Sequence, residues 1–445
     1  MLSITRCSWK DYNKKTDDNA NCVKRDNKMN QLMKKMVILI MLISACVYAG
    51  DLEPSAAPGS TMKTLDEVEP RIPIPGSSTA VGAYNIKNSG SYYLTGDRVC
   101  SGTGITVSAD NVTIDLMGYT LTGPSSGTNY GISFGAPNNL EVRNGTVSGF
   151  TTGINQTSSA SAGHRITNIR AASNTAAGIY LLGEGCSVLG CTVNDNGSLS
   201  SSDVFGIYIS GAGCKVNDCI VGGNGTSSSG IVYAIHFYST AYGGEVKANT
   251  VFSNGVGASG ASTAGIYISA DNCIVSGNTV YNNGKTSSSS SILGIFAGDG
   301  NTVTENTVYG NGNSSNCYRV YGISTAAGCT IINNTVMRNG IQATESASTS
   351  TAYGMFAYQG CTVTGNTVYD NGDSASMDYA YGVYCNTACT VTGNTVYSNG
   401  TSSTAICRGL NVFSYGYVDQ NTCYDNNGTN LYTGTGCVVG SNMAP

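Results

Sequence analysis

The chain has 445 residues, 40% hydrophobic but only 11% charged, with 58 Gly, 28 Tyr and a single Trp. Long helices draw on Leu, Ala, Glu and Lys, whereas a chain rich in Gly, Ser, Thr, Asn, Val and Tyr is strand and turn material. Nine of the 22 bases and four of the 27 acids fall in residues 1–36, leaving 13 bases against 23 acids in the rest, which excludes nucleic acid as the main partner.

The N-terminal part, residues 1–49, reads as an extension followed by a secretory signal. Met33-Lys34-Lys35-Met36 supplies a positive start, an apolar run follows, and Val47-Tyr48-Ala49 offers a small-residue site, so cleavage is expected near Ala49. The rival reading is a lipobox, Ile43-Ser44-Ala45-Cys46, which would put a lipid on Cys46. The run is too short for a membrane span. Either way the chain is expected to be secreted or held in the cell envelope. Residues 50–79, rich in Pro, Glu and Ala, read as a linker.

From residue 80 to 445 one phrase keeps returning: Gly-Ile-Tyr-Ile, a polar corner, Cys-x-Val, then Asn-Thr-Val-Tyr and Asn-Gly. Its clearest copy runs from Gly265 to Gly284. Others start at Gly104, Gly131, Gly153, Gly178, Gly206, Ala234, Gly294, Gly322, Gly354, Gly382 and Gly409. Such self-similarity means a solenoid. Alternation places Ile266 and Ile268 on one face and Tyr267 on the other, then Cys273 and Val275 against Ile274, then Val280 against Thr279 and Tyr281. The expected fold is therefore all-β: a right-handed parallel β-helix of about twelve three-stranded coils, on the order of 60 Å long at one strand spacing per coil. Extra length between copies falls just before each Gly-Ile, in Ser/Thr-rich loops such as Lys285–Ser291.

The repeat resembles the right-handed parallel β-helix (pectin-lyase-like) superfamily and its nitrous-oxide-accessory (NosD-like) and carbohydrate-binding repeat families, over about residues 90–440. The resemblance implies a groove along the first strand. It does not imply one activity, because the architecture carries lyases, hydrolases, epimerases, tailspikes and adhesins. The polygalacturonase signatures (Asn-Thr-Asp, Asp-Asp, Gly-His-Gly, Arg-Ile-Lys) and the epimerase Asp-Pro-His are absent from the repeats.

Three kinds of column recur. Asn249, Asn278, Asn306, Asn334, Asn366, Asn394 and Asn421 mark the bend before the third strand, with Asn144 one residue early and Cys191 and Cys219 in their place in two coils; stacked amides would tolerate the bend and bond along the axis. Cys186, Cys214, Cys273, Cys329, Cys361, Cys389 and Cys437 line up inward, interrupted by Asn301. Residues in register do not converge on a metal, and parallel stacking holds their Cβ atoms too far apart for easy disulfides. Free thiols are expected, with Cys186–Cys214 and Cys191–Cys219 the candidates for exceptions. Outward on the first strand stand Tyr180, Tyr208, His236, Tyr267 and Phe296, then Ser324, Phe356 and Tyr384; outward on the third are Phe252, Tyr281, Tyr309, Met337, Tyr369, Tyr397 and Tyr424. Rings in register stack on one another. The first-strand set, Tyr180 to Phe296, is also the candidate strip for a polysaccharide.

Acid–base candidates sit in the early coils. Glu141, Arg143, His164 and Arg165, with Asp115 and Arg170, fall on or near the second strand of consecutive coils, where an acid, a base and a cation could abstract a proton from an acidic sugar; the alternative is a surface ion ladder. No cofactor or metal site is expected, although Asp370, Asp373 and Asp378 share a loop that could offer oxygens to Ca²⁺. The leading functional expectation is a non-catalytic polysaccharide-binding or surface protein. The alternatives are a polysaccharide lyase and a periplasmic metal-accessory protein of the NosD-like kind. The last coil, ending near Val438-Val439, offers a strand edge for self-association.

Overall fold

The computed structural model describes residues 31–37, 71–341, 350–374, 377–402 and 406–445. Residues 31–37 form a short exposed helix, and among the described residues no helix is long and apolar enough to cross a membrane. Cys46 and Ala49, the two candidate processing points, lie outside the described residues.

Arg71–Pro445 is one compact unit, and it is a parallel β-helix. A typical coil consists of Ser262–Ile268, a corner, Ile274–Ser276, a bend, Thr279–Tyr281 and a return loop. Each strand pairs in parallel with its counterparts in the coils before and after. The first strands build a 14-stranded sheet. All twelve expected starts lie in or beside its strands, and one further strand extends it at each end, Tyr84–Ile86 and Thr429–Thr435. Second and third strands merge into one continuous assembly, because Glu141–Ser148 and Arg165–Ala172 run unbroken around the bend.

The core follows from alternation. Ile266, Ile295, Ile323, Met355, Val383 and Leu410 are in register on the first sheet, each fully buried. Val246, Val275, Val303, Ile331, Val363 and Val391 do the same on the second. The first strand adds a second buried position, as with Ile268 beside Ile266, so a few aliphatic residues per coil fill a thin cylinder.

The Gly that opens each phrase has a packing reason. A Cβ on Gly322 would stand 2.4 Å from Val336 Cγ1 and 2.5 Å from the Gly354 carbonyl oxygen. Those distances are shorter than any unstrained contact.

Two expectations change. Residues 72–79, read as the tail of a linker, already belong to the helix: Ile72–Ile74 pairs with Tyr92–Leu94, and Ser77–Val81 with Arg98–Cys100. Proline is tolerated there because these strands lie at the sheet's edge. The Ser/Thr-rich return loops also carry their own cross-coil ladder, Ser229 to Ser200, Ser259 to Ser228, Ser288 to Ala258 and Asn316 to Ser287, each an N–H donating to a carbonyl at 2.8–2.9 Å. Small apolar clusters lie among them, including Val204, Val232 and Ala258.

Candidate functional site

The asparagine ladder is continuous. From Asn249 through Asn278, Asn306, Asn334, Asn366, Asn394 and Asn421 to Asn442, each Nδ2 donates to the next Oδ1 at 2.9–3.0 Å. The left-handed backbone of the bend belongs to the residue before each: Ala248, Gly277, Glu305, Asn333, Gly365, Gly393 and Gln420. Tolerating the bend is thus not the asparagine's role; satisfying the buried backbone is. Asn144, one residue early, is itself left-handed, at φ 58°, as is Asn168 opposite it in the next coil, at φ 53°. A second ladder, unexpected from the sequence, follows the third strand: Asn174, Asn196, Asn224, Asn254, Asn283, Asn311, Asn339, Asn371, Asn399 and Asn426 bond Nδ2 to Oδ1 at 2.8–3.0 Å. Its signal was the Asn of each recurring Asn-Gly.

None of the 14 described cysteines is joined in a disulfide, and 13 are buried. The inward thiols act as donors: Cys214, Cys273, Cys329, Cys361 and Cys389 point Sγ at a carbonyl of the preceding coil at 2.9–3.4 Å. Asn301 does the same with its amide, to Ala270 at 2.9 Å. Burial raises the Cys273 thiol and pushes Cys423 up to about 12, so both stay protonated at neutral pH. Among the described residues no three His, Cys, Asp or Glu side chains could hold a metal ion. The three loop aspartates are engaged separately: Asp370 with Arg338 at 3.5 Å, Asp373 with the Ser402 N–H at 2.6 Å, and Asp378 with the Ser350 N–H at 2.8 Å.

The acid–base candidates divide. Glu141, Arg143 and Arg165 do come together, outward on the second sheet. Arg143 Nε meets Asp115 Oδ2 at 3.0 Å, its Nη1 meets Glu141 Oε1 at 3.5 Å, and Arg165 Nη2 meets Glu141 Oε2 at 3.5 Å. Asp115 also accepts from the Met117 N–H at 2.9 Å and Asn144 Nδ2 at 3.3 Å. This is a closed ion ladder, each carboxylate already matched by a cation. His164 does not join it. One residue before Arg165, it has the opposite parity, points inward and is fully buried. By register it occupies the position of Cys186 in the next coil, at the head of the thiol column. Its Nδ1 accepts from the Leu140 N–H at 3.2 Å, its Nε2 lies 3.2 Å from Ser161 Oγ, and its ring meets Phe134 edge-on at 4.8 Å. Burial lowers its pKa to about 4, so it is neutral at pH 7.

The aromatic candidates do come together. Tyr180, Tyr208, His236, Tyr267 and Phe296 are in strict register. Tyr180 and Tyr208 stack at 4.2 Å, and Tyr267 and Phe296 at 4.6 Å. His236 is turned nearly perpendicular to both neighbours, at 88° and 81°. Its Nε2 lies 3.3 Å from Ser269 Oγ, its Nδ1 is buried without a partner, and burial lowers its pKa to about 4.

A second aromatic column runs beside the first, three residues earlier in the strand: Phe205 and Tyr233, then Tyr321, Tyr353 and Tyr381, the last three stacked at 4.9 and 5.3 Å. It meets the first edge-on, Phe205 to Tyr208 at 5.1 Å and Tyr353 to Phe356 at 5.3 Å. Strict alternation hid it, since residues i and i+3 belong on opposite faces. Both face outward here because the register steps over the opening residue, Gly206 or Gly322. The result is a herringbone belt in which stacked rings cover each other's faces and present edges and hydroxyls.

Charge sets this face apart. Among the described residues, the strands of the first sheet contain no Asp, Glu or Lys, and their only arginines are Arg319 and Arg408. Arg319 lies over the Tyr318 ring at 4.8 Å, and Arg408 over Tyr432 at 3.8 Å while donating to Asn411 Oδ1 at 2.6 Å. A separate hollow of about 380 Å³, lined by Val107, Ser108, Asp110, Gly135, Ala136 and Pro137, contains one carboxylate, and that already accepts from the Asn138 N–H at 2.6 Å.

No protein-family model matches this sequence, and no curated protein matches it. Solved structures do resemble the chain. The A-module of mannuronan C-5 epimerase AlgE4 of Azotobacter vinelandii is 12% identical over 81% of this chain and 89% of its own, with a TM-score of 0.38. A DFA-IIIase from Arthrobacter chlorophenolicus is 11% identical over 75% and 83%, TM-score 0.38. PfbA, a surface adhesin of Streptococcus pneumoniae, is 7% identical over 79% and 82%, TM-score 0.35. None of these likenesses bears on chemistry.

Proposed function

We propose that this chain is an exported β-helix protein that binds polysaccharide along the outer face of its first sheet without cleaving it. The observation that carries the reading is the double aromatic belt on a face whose strands, among the described residues, have no acid and only Arg319 and Arg408 as charges. Tyrosine hydroxyls repeating at about one coil spacing, 4.8 Å, offer hydrogen-bond partners in a line to a chain of sugar hydroxyls. The acid–base cluster lies on a different sheet and is closed into ion pairs, so a lyase has less support. Affinity electrophoresis through gels containing cellulose ether, mannan, galactan, alginate or polygalacturonate tests the reading. Retardation in at least one gel, reduced by the double change Tyr353→Ala and Tyr384→Ala, is expected. Free migration in every gel would overturn it.

A further inference from the structure

The first aromatic column has one missing rung. Phe296, Ser324 and Phe356 are consecutive in register, so a serine stands where every neighbour from Tyr180 to Tyr384 carries a ring. The two phenylalanines that flank it are two coil rises apart, about 9.6 Å. Each has its other face occupied, Phe296 by Tyr267 at 4.6 Å and Phe356 by Tyr384 at 5.4 Å. No ring stacks on the face that either turns toward Ser324. Tyr321, in the same coil, closes one side, its ring meeting Phe356 edge-on at 5.9 Å. Ser324 is only 7% exposed, which places it at the floor of a narrow slot rather than on an open ledge.

We infer that this slot is the principal sugar-binding subsite, receiving one pyranose ring between Phe296 and Phe356 with the Ser324 hydroxyl beneath it. The inference rests on the polysaccharide reading above. Dimensions choose the occupant. At this column's own stacking distances of 4.6 and 5.4 Å, the spacing holds one ring and no more. A chair pyranose presents C–H groups to both ring faces. Its edge hydroxyls then fall toward Ser324 Oγ and the Tyr321 hydroxyl. No other position between Tyr180 and Tyr384 in this column lacks a ring.

The test fills the slot. Ser324→Tyr completes the ring column, so the variant is expected to keep or raise the melting temperature while its retardation in whichever of the five gels slows the parent falls at least tenfold. Ser276→Tyr, outward on the second sheet, controls for an added surface tyrosine and is expected to bind within twofold of the parent. If the parent is retarded and Ser324→Tyr, folded to the parent's melting temperature, is retarded equally, the slot assignment is overturned while the polysaccharide reading stands. If the parent is retarded in none of the gels, the polysaccharide reading falls and the slot with it. Should Ser324→Tyr fail to fold, Phe296→Ala and Phe356→Ala take its place, and binding unchanged in both would overturn the assignment.

Discussion

Replacing Asn306 by Ala removes one rung from the middle of the first asparagine ladder. Asn306 is 1% exposed. Its Oδ1 accepts from both the backbone N–H and Nδ2 of Asn278, at 2.9 Å each. Its Nδ2 donates to the Val275 carbonyl at 2.9 Å and to Asn334 Oδ1 at 3.0 Å. Asn278 Nδ2 keeps a second partner, the Val246 carbonyl at 2.9 Å, and Asn334 Oδ1 keeps the Asn306 N–H at 2.9 Å. One group is left buried and unpaired, the Asn278 N–H; the Val275 carbonyl keeps the sheet N–H of Thr304, whose own carbonyl pairs with the Gly277 N–H. At about 1–3 kcal/mol for such a group, the expected loss is about 2 kcal/mol. Because a solenoid couples mainly nearest neighbours, the loss is expected to be local. Native-state hydrogen exchange should show reduced protection in the coils holding Asn278, Asn306 and Asn334, while the coil of Ile179 is unchanged. Asn442→Ala, at a partly exposed end of the same ladder, should cost under about 1 kcal/mol. A loss below about 1 kcal/mol at Asn306 would refute the idea that the ladder satisfies the bends.

Three further outcomes follow from the same geometry. Thiol titration of the unfolded, unreduced protein should find at least 14 reactive thiols, one for each described cysteine outside a disulfide, and a titre near zero would contradict the thiol column. His164 is neutral in the fold, with its pKa lowered by burial to about 4, against about 6.5 unfolded; below pH 6.5 the unfolded chain therefore takes up a proton that the folded chain refuses, and stability should fall by about 3 kcal/mol between pH 6.5 and 4 from this group alone. His164→Asn, which copies what Asn301 does in the same column, should flatten that slope in urea melts, and an unchanged slope would count against the assignment. Glu141→Gln should cost no more than about 1 kcal/mol and leave polysaccharide retardation unaltered, since its partners Arg143 and Arg165 are 37% and 63% exposed.

The fold was legible because one phrase repeats at a nearly fixed length and alternation sorts each copy into inside and outside. Ile266, Val275 and Val280 needed nothing more. The site was less legible where local geometry departs from alternation. The column of Phe205, Tyr233, Tyr321, Tyr353 and Tyr381 faces outward only because the backbone steps over a glycine, and strict period two assigns these rings to the core. His164 lies next to a true outward cluster in sequence, yet one residue's change of parity takes it inside; its place two residues before the inward Ile166, as Cys186 stands before Val188, was the available signal. The second asparagine ladder was visible as Asn-Gly, a pair that also reads as an ordinary turn. The slot at Ser324 had only a negative sign in the sequence, one serine in a column of rings.

The central claim is binding without cleavage on the first-sheet face. The most direct measurement incubates the purified protein with each polysaccharide of the panel, with and without Ca²⁺, and follows gel retardation and new chain ends in the same samples. The account predicts retardation in at least one polysaccharide, weakened by Ser324→Tyr, with no rise in reducing ends or ultraviolet absorbance. Chain ends that accumulate with the parent protein and are lost in Glu141→Gln would contradict it.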